Sequence, residues 1–177
     1  VNLNAVNHPS IDKLRGEGKG EDMLCIMWNA ARTLEKGGAE CILLGANTMH
    51  KVAHDVQESV NIPFIHIAEE TGKEILKKGL KKVALLGTKY TMQMDFFRDK
   101  LSEQGITAII PLEEEIDIIN CGIYKELALG IITHENKKAY LRIMNRLNEY
   151  GAEGIVLRCT EIPLLVKQAD FDLPLFD

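Results

Sequence analysis

Hydrophobic positions along the chain alternate between two spacings. Apolar residues three or four positions apart predict helices, and short unbroken apolar runs predict strands buried on both faces. Helices are predicted over residues 21–36, 49–59, 69–78, 92–104, 113–129, 135–150 and 161–169. Strands are predicted over residues 41–44, 64–67, 83–86, 107–110, 155–157 and 173–176. This alternation predicts an α/β protein whose mainly parallel sheets are flanked by helices.

A ten-residue segment occurs twice in the chain. Residues 38–47 read Gly-Ala-Glu-Cys-Ile-Leu-Leu-Gly-Ala-Asn, and residues 151–160 read Gly-Ala-Glu-Gly-Ile-Val-Leu-Arg-Cys-Thr. Each copy predicts a helix-ending glycine, a short strand and a small polar turn that opens the next helix. Such turns, at the carboxyl ends of parallel strands, are where α/β proteins bind ligands. The second copy places Cys159 in this turn, whereas the first copy places Ala46 there.

Composition and charge exclude several classes of function. The 177 residues are 46% hydrophobic and 27% charged, with a net charge of −5, as in an ordinary globular protein. Lysine and arginine form no basic stripe, and no apolar run reaches the ~20 residues of a membrane span. We therefore expect no nucleic-acid or membrane partner and a cytoplasmic location.

The four cysteines show no spacing typical of a zinc site or a redox pair. Two lie in predicted helices and one in a predicted strand, which favours reduced thiols over disulfides. We expect Cys25, Cys41 and Cys121 to pack in the core as small apolar side chains. His50 and His54 are four residues apart on a predicted helix, but the intervening residues do not match a zinc-protease motif and no third ligand is evident. No metal site is predicted.

Three turns carry the candidate chemistry. They are Ala46-Asn47-Thr48, the Gly87-Thr88 turn with Thr91, and Cys159-Thr160-Glu161. Backbone amides at helix starts, together with hydroxyl groups, suit the binding of a carboxylate. A thiol at a helix start is expected to have a lowered pKa and to act as a base or nucleophile. No glycine-rich dinucleotide motif or Walker loop is present, so no phosphate-containing cofactor is indicated.

These segments resemble the aspartate/glutamate racemases of the wider Asp/Glu/hydantoin racemase group. The resemblance rests on Gly-Ala-Asn-Thr-Met-His at 45–50, Ile-Pro-Phe-Ile-His-Ile at 62–67, Val-Ala-Leu-Leu-Gly-Thr-Lys-Tyr-Thr-Met at 83–92 and Cys-Thr-Glu-Ile-Pro-Leu-Leu at 159–165. It implies a homodimer of two-lobed α/β chains, with the active site in a cleft between the lobes. The first lobe would span residues 1–80, the second 81–171, and residues 172–177 would return to the first lobe.

The family's first strand and last helix have no counterpart here. Residues 1–7 look like an interior strand and its exit, and the chain stops immediately after a predicted strand. We therefore expect both ends to be incomplete.

The resemblance also implies a mechanism that needs no cofactor. Two thiols on opposite faces of a small dicarboxylic amino acid would remove and return the proton on Cα. Cys159 matches the second of these bases, and Ala46, at the position of the first, cannot transfer a proton. The residues expected to contact the substrate are Ala46, Asn47, Thr48, Thr88, Thr91, Thr160, Glu161 and, by a looser match, Arg15.

Each of these expectations has a structural alternative. Cys159 could be a small buried apolar residue, and Asn47 and Thr48 could form an ordinary helix cap. Arg158 could favour the Cys159 thiolate, bind a substrate carboxylate or point into solvent.

Three functions remain open from the sequence. The first is an aspartate- or glutamate-type racemase, impaired or one-sided because of Ala46. The second is a single-thiol isomerase or decarboxylase of a small dicarboxylate. The third is a carboxylate-binding protein without catalytic activity.

Overall fold

The computed structural model describes residues 1–6 and 20–177, and it divides into two compact units. The first unit spans Val1–Ile67 and the second spans Ala68–Asp177. Each contains a parallel sheet and helices, which confirms the predicted fold class. No helix in the described ranges is long and apolar enough to cross a membrane.

The described part of the first unit contains two α-helices, a 3₁₀ helix and a two-stranded sheet. Its elements are α1 (Gly20–Lys36), β1 (Ile42–Leu43), a 3₁₀ helix (Asn47–Val52), α2 (Ala53–Glu58) and β2 (Phe64–Ile65). The strands β1 and β2 pair in parallel, with Ile42 opposite Phe64. A small core of apolar side chains joins α1 to β1 and α2, and consists of Met27, Ala31, Ile42, Val56 and Val60.

The second unit is larger and carries a four-stranded sheet. Its elements are α3 (Ile67–Lys77), β3 (Lys82–Leu86), α4 (Lys89–Gln93), α5 (Asp95–Glu103), β4 (Thr107–Ile109), α6 (Glu113–Lys125), a 3₁₀ helix (Leu127–Leu129), α7 (His134–Glu149), β5 (Ile155–Leu157), α8 (Ile162–Leu165), a 3₁₀ helix (Gln168–Asp170) and β6 (Leu175–Phe176). The strand order is β4-β3-β5-β6, and all three pairings are parallel.

The pairing of β3 with β5 determines which turns lie together. Leu86 is opposite Leu157, and the Arg158 amide donates a hydrogen bond to the Leu86 carbonyl at 2.6 Å. The Gly87-Thr88 turn and the Arg158-Cys159 turn therefore leave the sheet side by side at its carboxyl edge. Of the three predicted turns, these two are brought together within one unit.

Side chains of β3 and β5 alternate between the two faces of the sheet. One face packs against α6 and α7 in the main core, to which Ala84, Leu86, Ile155 and Leu157 belong. Cys159 packs against the same core as a partly buried residue. Arg158 follows Val156 onto the opposite face, where it contacts Phe97 of α5.

Several predicted elements are shorter than expected or are interrupted. Residues 1–6 contain no strand, contrary to the prediction for 1–7. The predicted helix over 92–104 is broken at Met94, whose ψ of 130° is extended and separates α4 from α5. The predicted helices over 49–59, 113–129 and 161–169 each consist of a shorter α-helix and a turn of 3₁₀ helix.

We expected strand β1 to be buried on both faces, but only one of its faces is buried. Ile42 is buried, whereas the Leu43 side chain is 73% exposed. In the described part of the first unit, β1 has β2 as its neighbour in a sheet of two strands. Such a small sheet covers one face only, so the prediction of complete burial is wrong here.

The division between the units differs from the predicted lobes 1–80, 81–171 and 172–177. Helix α3 packs with the second unit, because Gln104 Nε2 donates to the Glu69 carbonyl at 3.4 Å and Lys100 pairs with Glu69 at 3.3 Å. The terminal strand β6 pairs with β5 within the second unit.

The two copies of the repeat share a helix-ending glycine. Gly38 has a φ of +83° and Gly151 a φ of +90°, a left-handed conformation that side chains other than glycine adopt with strain. This confirms the helix-ending role predicted for both. The copies differ three residues later, where Cys41 of the first copy corresponds to Gly154 of the second.

We predict that Gly154→Ala lowers the free energy of unfolding by about 1–3 kcal/mol, the usual cost of overpacking. The added methyl would lie 2.9 Å from Phe176 Cε2 and 3.3 Å from the Pro174 carbonyl, so β6 would have to shift. Urea denaturation measures the loss. Gly45→Ala is the matched control, because a methyl there meets no atom within 4 Å. Equal stability of the two variants would contradict this packing.

Candidate active site

The Cys159 thiol is held by the carboxylate two residues further along the chain. Its Sγ donates a hydrogen bond to Glu161 Oε2 at 2.9 Å, and the Thr160 hydroxyl donates to the same oxygen at 3.0 Å. Cys159 is partly buried, whereas Thr160 is exposed. The thiol of Cys159 and the hydroxyl of Thr160 thus both donate to one oxygen of the Glu161 carboxylate.

Burial raises the pKa of the Cys159 thiol to about 12, and the Glu161 carboxylate beside it contributes to the increase. The hydrogen bond from Cys159 in turn lowers the pKa of Glu161. The group is therefore a neutral thiol facing an ionised carboxylate. The expected lowering of the thiol pKa is wrong, because α8 has only four residues and burial outweighs any effect of its amino end.

The neighbouring turn, Gly87-Thr88 with Thr91, is held by hydrogen bonds of its own two hydroxyl groups. Thr88 caps α4, since its Oγ1 accepts from the Thr91 amide at 3.3 Å, and the Thr91 hydroxyl donates to the Thr88 carbonyl at 2.9 Å. Thr91 is buried, whereas Thr88 is half-buried. A methyl on Gly87 would lie 2.5 Å from Thr91 Oγ1 and 3.2 Å from Arg158 Cβ, so this turn requires glycine.

Arg158 is buried, so it does not point into solvent. It is 2% exposed, its Nη1 donates to the Thr91 carbonyl, and its guanidinium carbon lies 3.9 Å from the centre of the Phe97 ring. Among the described residues, Nε and Nη2 have no hydrogen-bond partner. Burial lowers the pKa of Arg158 to about 9.

Tyr140 is a neighbour of Cys159 that the sequence did not indicate. It is fully buried in α7, and its hydroxyl donates to the Ile119 carbonyl at 2.8 Å. Burial raises the pKa of Tyr140, and the negative charge of an ionised Cys159 would raise it further. Tyr140 therefore contributes a neutral side chain to the core on the face of the sheet where the Cys159 thiol packs. Its helical spacing from Ile143 and Leu147 resembles that of any core residue, so no sequence signal distinguishes it.

The Ala46 turn lies in the first unit, where the side chain of His50 hydrogen-bonds to it. Ala46 begins the 3₁₀ helix with an extended backbone, and its carbonyl accepts a hydrogen bond from His50 Nδ1 at 3.0 Å. The His50 and His66 rings are buried with their centres 5.0 Å apart. Asn47 and Thr48 are helical residues, so the alternative of a side-chain cap is wrong: Ala46 occupies the cap position, without a side-chain hydrogen bond.

The two histidines considered for a metal have different environments. His50 is buried beside Ala46, whereas the His54 side chain is 85% exposed and lies 3.5 Å from Glu58. Within residues 1–6 and 20–177, no group of three or more histidine, cysteine or acidic side chains is placed to hold a metal ion.

The remaining residues singled out in the sequence are three cysteines and one arginine. The expectation that Cys25, Cys41 and Cys121 pack in the core is wrong, since all three are exposed. Cys25 and Cys121 nevertheless lie in helices, as predicted. Arg15 lies outside the described residues.

Comparison with known proteins identifies the family and supports the fold. A model of the Asp/Glu/hydantoin racemase family matches residues 4–177. The chain belongs to this family. The resemblance to this family that was inferred from the sequence is confirmed.

Two solved structures of this racemase family are closely similar. A candidate Asp/Glu racemase from Yersinia pestis is 40% identical with a TM-score of 0.95, over 99% of this chain and 77% of that one. An aspartate racemase homologue from Pyrococcus horikoshii is 40% identical with a TM-score of 0.90, over 99% and 76%.

Curated relatives of the family are more distant. The broad specificity amino-acid racemase of Bacillus subtilis is 26% identical over 157 residues, which are 89% of this chain and 67% of the relative. The chain spans between 51% and 57% of the length of the glutamate racemases that it matches.

We predict that Glu161→Gln accelerates alkylation of Cys159 by iodoacetamide at pH 8. The thiolate is the reactive form, and removing the carboxylate removes one cause of the raised thiol pKa. In the unmodified protein, the alkylation rate should keep rising with pH towards about 12. Peptide mass spectrometry separates Cys159 from the exposed cysteines. Glu113→Gln, an exposed position on α6, is the control, and equal rates in both variants would show that Glu161 does not hold the thiol.

Proposed function

We propose that the protein is a cofactor-independent amino-acid racemase of the aspartate/glutamate type, with Cys159 as its thiol acid/base. Membership of the racemase family supports the reaction class. The observation that carries the residue assignment is the hydrogen bond from the Cys159 thiol to Glu161, at the edge of the sheet where Thr88 also lies. A small dicarboxylic amino acid is the proposed substrate.

The protonation state of Cys159 decides whether this residue first donates or first accepts a proton. With a pKa near 12 the group is a thiol, and it serves as the acid that delivers a proton to a carbanion at Cα. The reverse step needs the thiolate, which takes the proton from Cα and becomes a thiol again. The ammonium group of a bound amino acid favours that thiolate, because a nearby positive charge lowers the pKa of a thiol.

Glu161 and Thr160 control this exchange in our proposal. Glu161 accepts the thiol hydrogen bond and so fixes the direction in which the S–H group points. The Thr160 hydroxyl shares the same oxygen, and rotation of this hydroxyl would free a donor for the α-carboxylate. Thr88, half-buried at the adjacent strand end, is a second proposed donor.

We predict that the full-length protein exchanges the α-proton of one enantiomer of aspartate or glutamate in heavy water. Cys159→Ser should slow this exchange by about 10²–10⁴-fold, the usual contribution of a positioned proton donor. Proton NMR follows the loss of the α-proton, and chiral chromatography follows inversion. Cys121→Ser, which removes an exposed thiol on α6, is the matched control.

Exchange of the α-proton that is faster than inversion would identify a one-sided racemase, which transfers a proton at one face of Cα only. Absence of exchange with both enantiomers of both amino acids would contradict the proposal. Ligand binding that survives Cys159→Ala, again without turnover, would instead indicate a carboxylate-binding relative.

Ala46 favours a second candidate function. A methyl group neither donates nor accepts a proton. A reaction that needs only one acid/base group therefore fits this chain no less than racemisation does. A single-thiol isomerase or decarboxylase of a small dicarboxylate would use Cys159 alone. Product analysis with malonate and maleate distinguishes it, since decarboxylation releases carbon dioxide and isomerisation does not.

We predict that Ala46→Cys raises the rate of two-way racemisation by about 10²–10⁴-fold. The substitution would supply the second thiol at the position that matches the family's first base. Chiral chromatography from each pure enantiomer measures the gain, and Ala46→Ser is the control of similar size. No gain, while the substrate still binds, would mean that Ala46 does not lie beside the reacting carbon.

A further inference from the structure

Lys89 joins the start of α4 to α6 by three interactions. Its backbone amide donates a hydrogen bond to Asn120 Oδ1 at 2.9 Å, and its side chain pairs with Glu113 at 2.6 Å and with Asp117 at 2.9 Å. Glu113, Asp117 and Asn120 are four and three residues apart along the helix, so they lie on one face of α6. Helix α6 therefore presents a row of acceptors to the residue that directly follows Thr88.

The three interactions differ in what they hold. The Glu113 and Asp117 side chains are exposed, and exposed ion pairs contribute little to stability. Asn120 is half-buried, and it accepts from the first backbone amide of α4, which has no partner within the helix. The bond to Asn120 is thus the interaction that fixes the backbone at Lys89.

Asn120 belongs to a helix that is firmly packed, whereas α4 is not. Ile116, Ile119 and Ile123 of α6 are buried in the main core, and the Ile119 carbonyl accepts a hydrogen bond from the Tyr140 hydroxyl at 2.8 Å. In contrast, α4 has five residues. Because so short a helix has few hydrogen bonds of its own, its position depends on contacts with neighbouring elements.

We propose that Asn120 is a positioning residue, which holds the Thr88 hydroxyl in place for the substrate carboxylate by binding the adjacent Lys89 amide. This inference rests on the proposed function, in which Thr88 donates to the α-carboxylate. The Lys89 nitrogen belongs to the peptide unit whose orientation is the ψ angle of Thr88, 155°. A bond that fixes this peptide unit therefore fixes the backbone from which the Thr88 side chain projects.

The first experiment measures hydrogen exchange of the Lys89 amide in ¹H–¹⁵N spectra of the full-length protein. We expect exchange to be about 3- to 10-fold faster in Asn120→Leu than in the unaltered protein, the range for one lost hydrogen bond. Asn120→Asp keeps the acceptor oxygen and should restore the slow exchange. It gives up only Nδ2, from which no described residue accepts a hydrogen bond. Unprotected exchange of this amide in the unaltered protein would overturn the proposal.

The second experiment measures the binding of L-aspartate by calorimetry. Asn120→Leu should weaken binding by about 3- to 10-fold, whereas Asn145→Leu, at an exposed position on α7, should leave the affinity unchanged. In a Thr88→Val background, Asn120→Leu should have no further effect, because the hydroxyl that Asn120 positions is already absent. An equal loss of affinity with and without the Thr88 hydroxyl would show a purely structural role and overturn the proposal.

The outcomes separate this inference from the proposed function. Aspartate binding that depends on Asn120 through Thr88, without turnover of any amino acid, would support the positioning role and contradict the racemase proposal. Turnover of aspartate, with the same affinity in Asn120→Leu as in Asn145→Leu, would support the racemase and overturn the inference. If Asn120→Leu fails to fold, Asn120→Ala, the change best tolerated in a helix, replaces it in both experiments.

Discussion

The parallel pairing of β3 with β5 is the constraint on which the candidate site depends. Its register places Leu86 opposite Leu157, so the turns that follow the two strands leave the sheet together. A shift of one residue would move Cys159 to the other face of the sheet and remove it from the core that contains Tyr140. The hydrogen bonds from the Lys81 and Lys82 amides to Glu153 hold the start of this pairing.

Burial at this edge has opposite consequences for two adjacent residues. It keeps Cys159 protonated, because the thiolate would be a desolvated negative charge beside Glu161. It makes the positive charge of Arg158 costly, because no carboxylate in the described chain offsets it.

Much of the fold follows from the sequence pattern, because strand and helix spacing is local information. Residues 155–157 form the predicted strand, and Gly38 and Gly151 end the helices before both copies of the repeat. The protonation state of Cys159 could not be predicted in this way, since it depends on how deeply the folded core buries the thiol and on its contact with Glu161. The opposite orientations of Arg158 and Cys159 do follow from strand alternation. The sequence pattern contains no information about Phe97 as the partner of Arg158.

The most direct test of the proposed chemistry is a crystal structure of the full-length Cys159→Ser protein with L-aspartate bound. The proposal predicts that Cα of the aspartate lies about 3–3.5 Å from the hydroxyl oxygen introduced at position 159, which stands in for the thiol sulfur. It also predicts that the α-carboxylate contacts the hydroxyl groups of Thr88 or Thr160. Aspartate bound away from position 159, or bound with Cα turned away from it, would contradict the assignment of Cys159 as the acid/base.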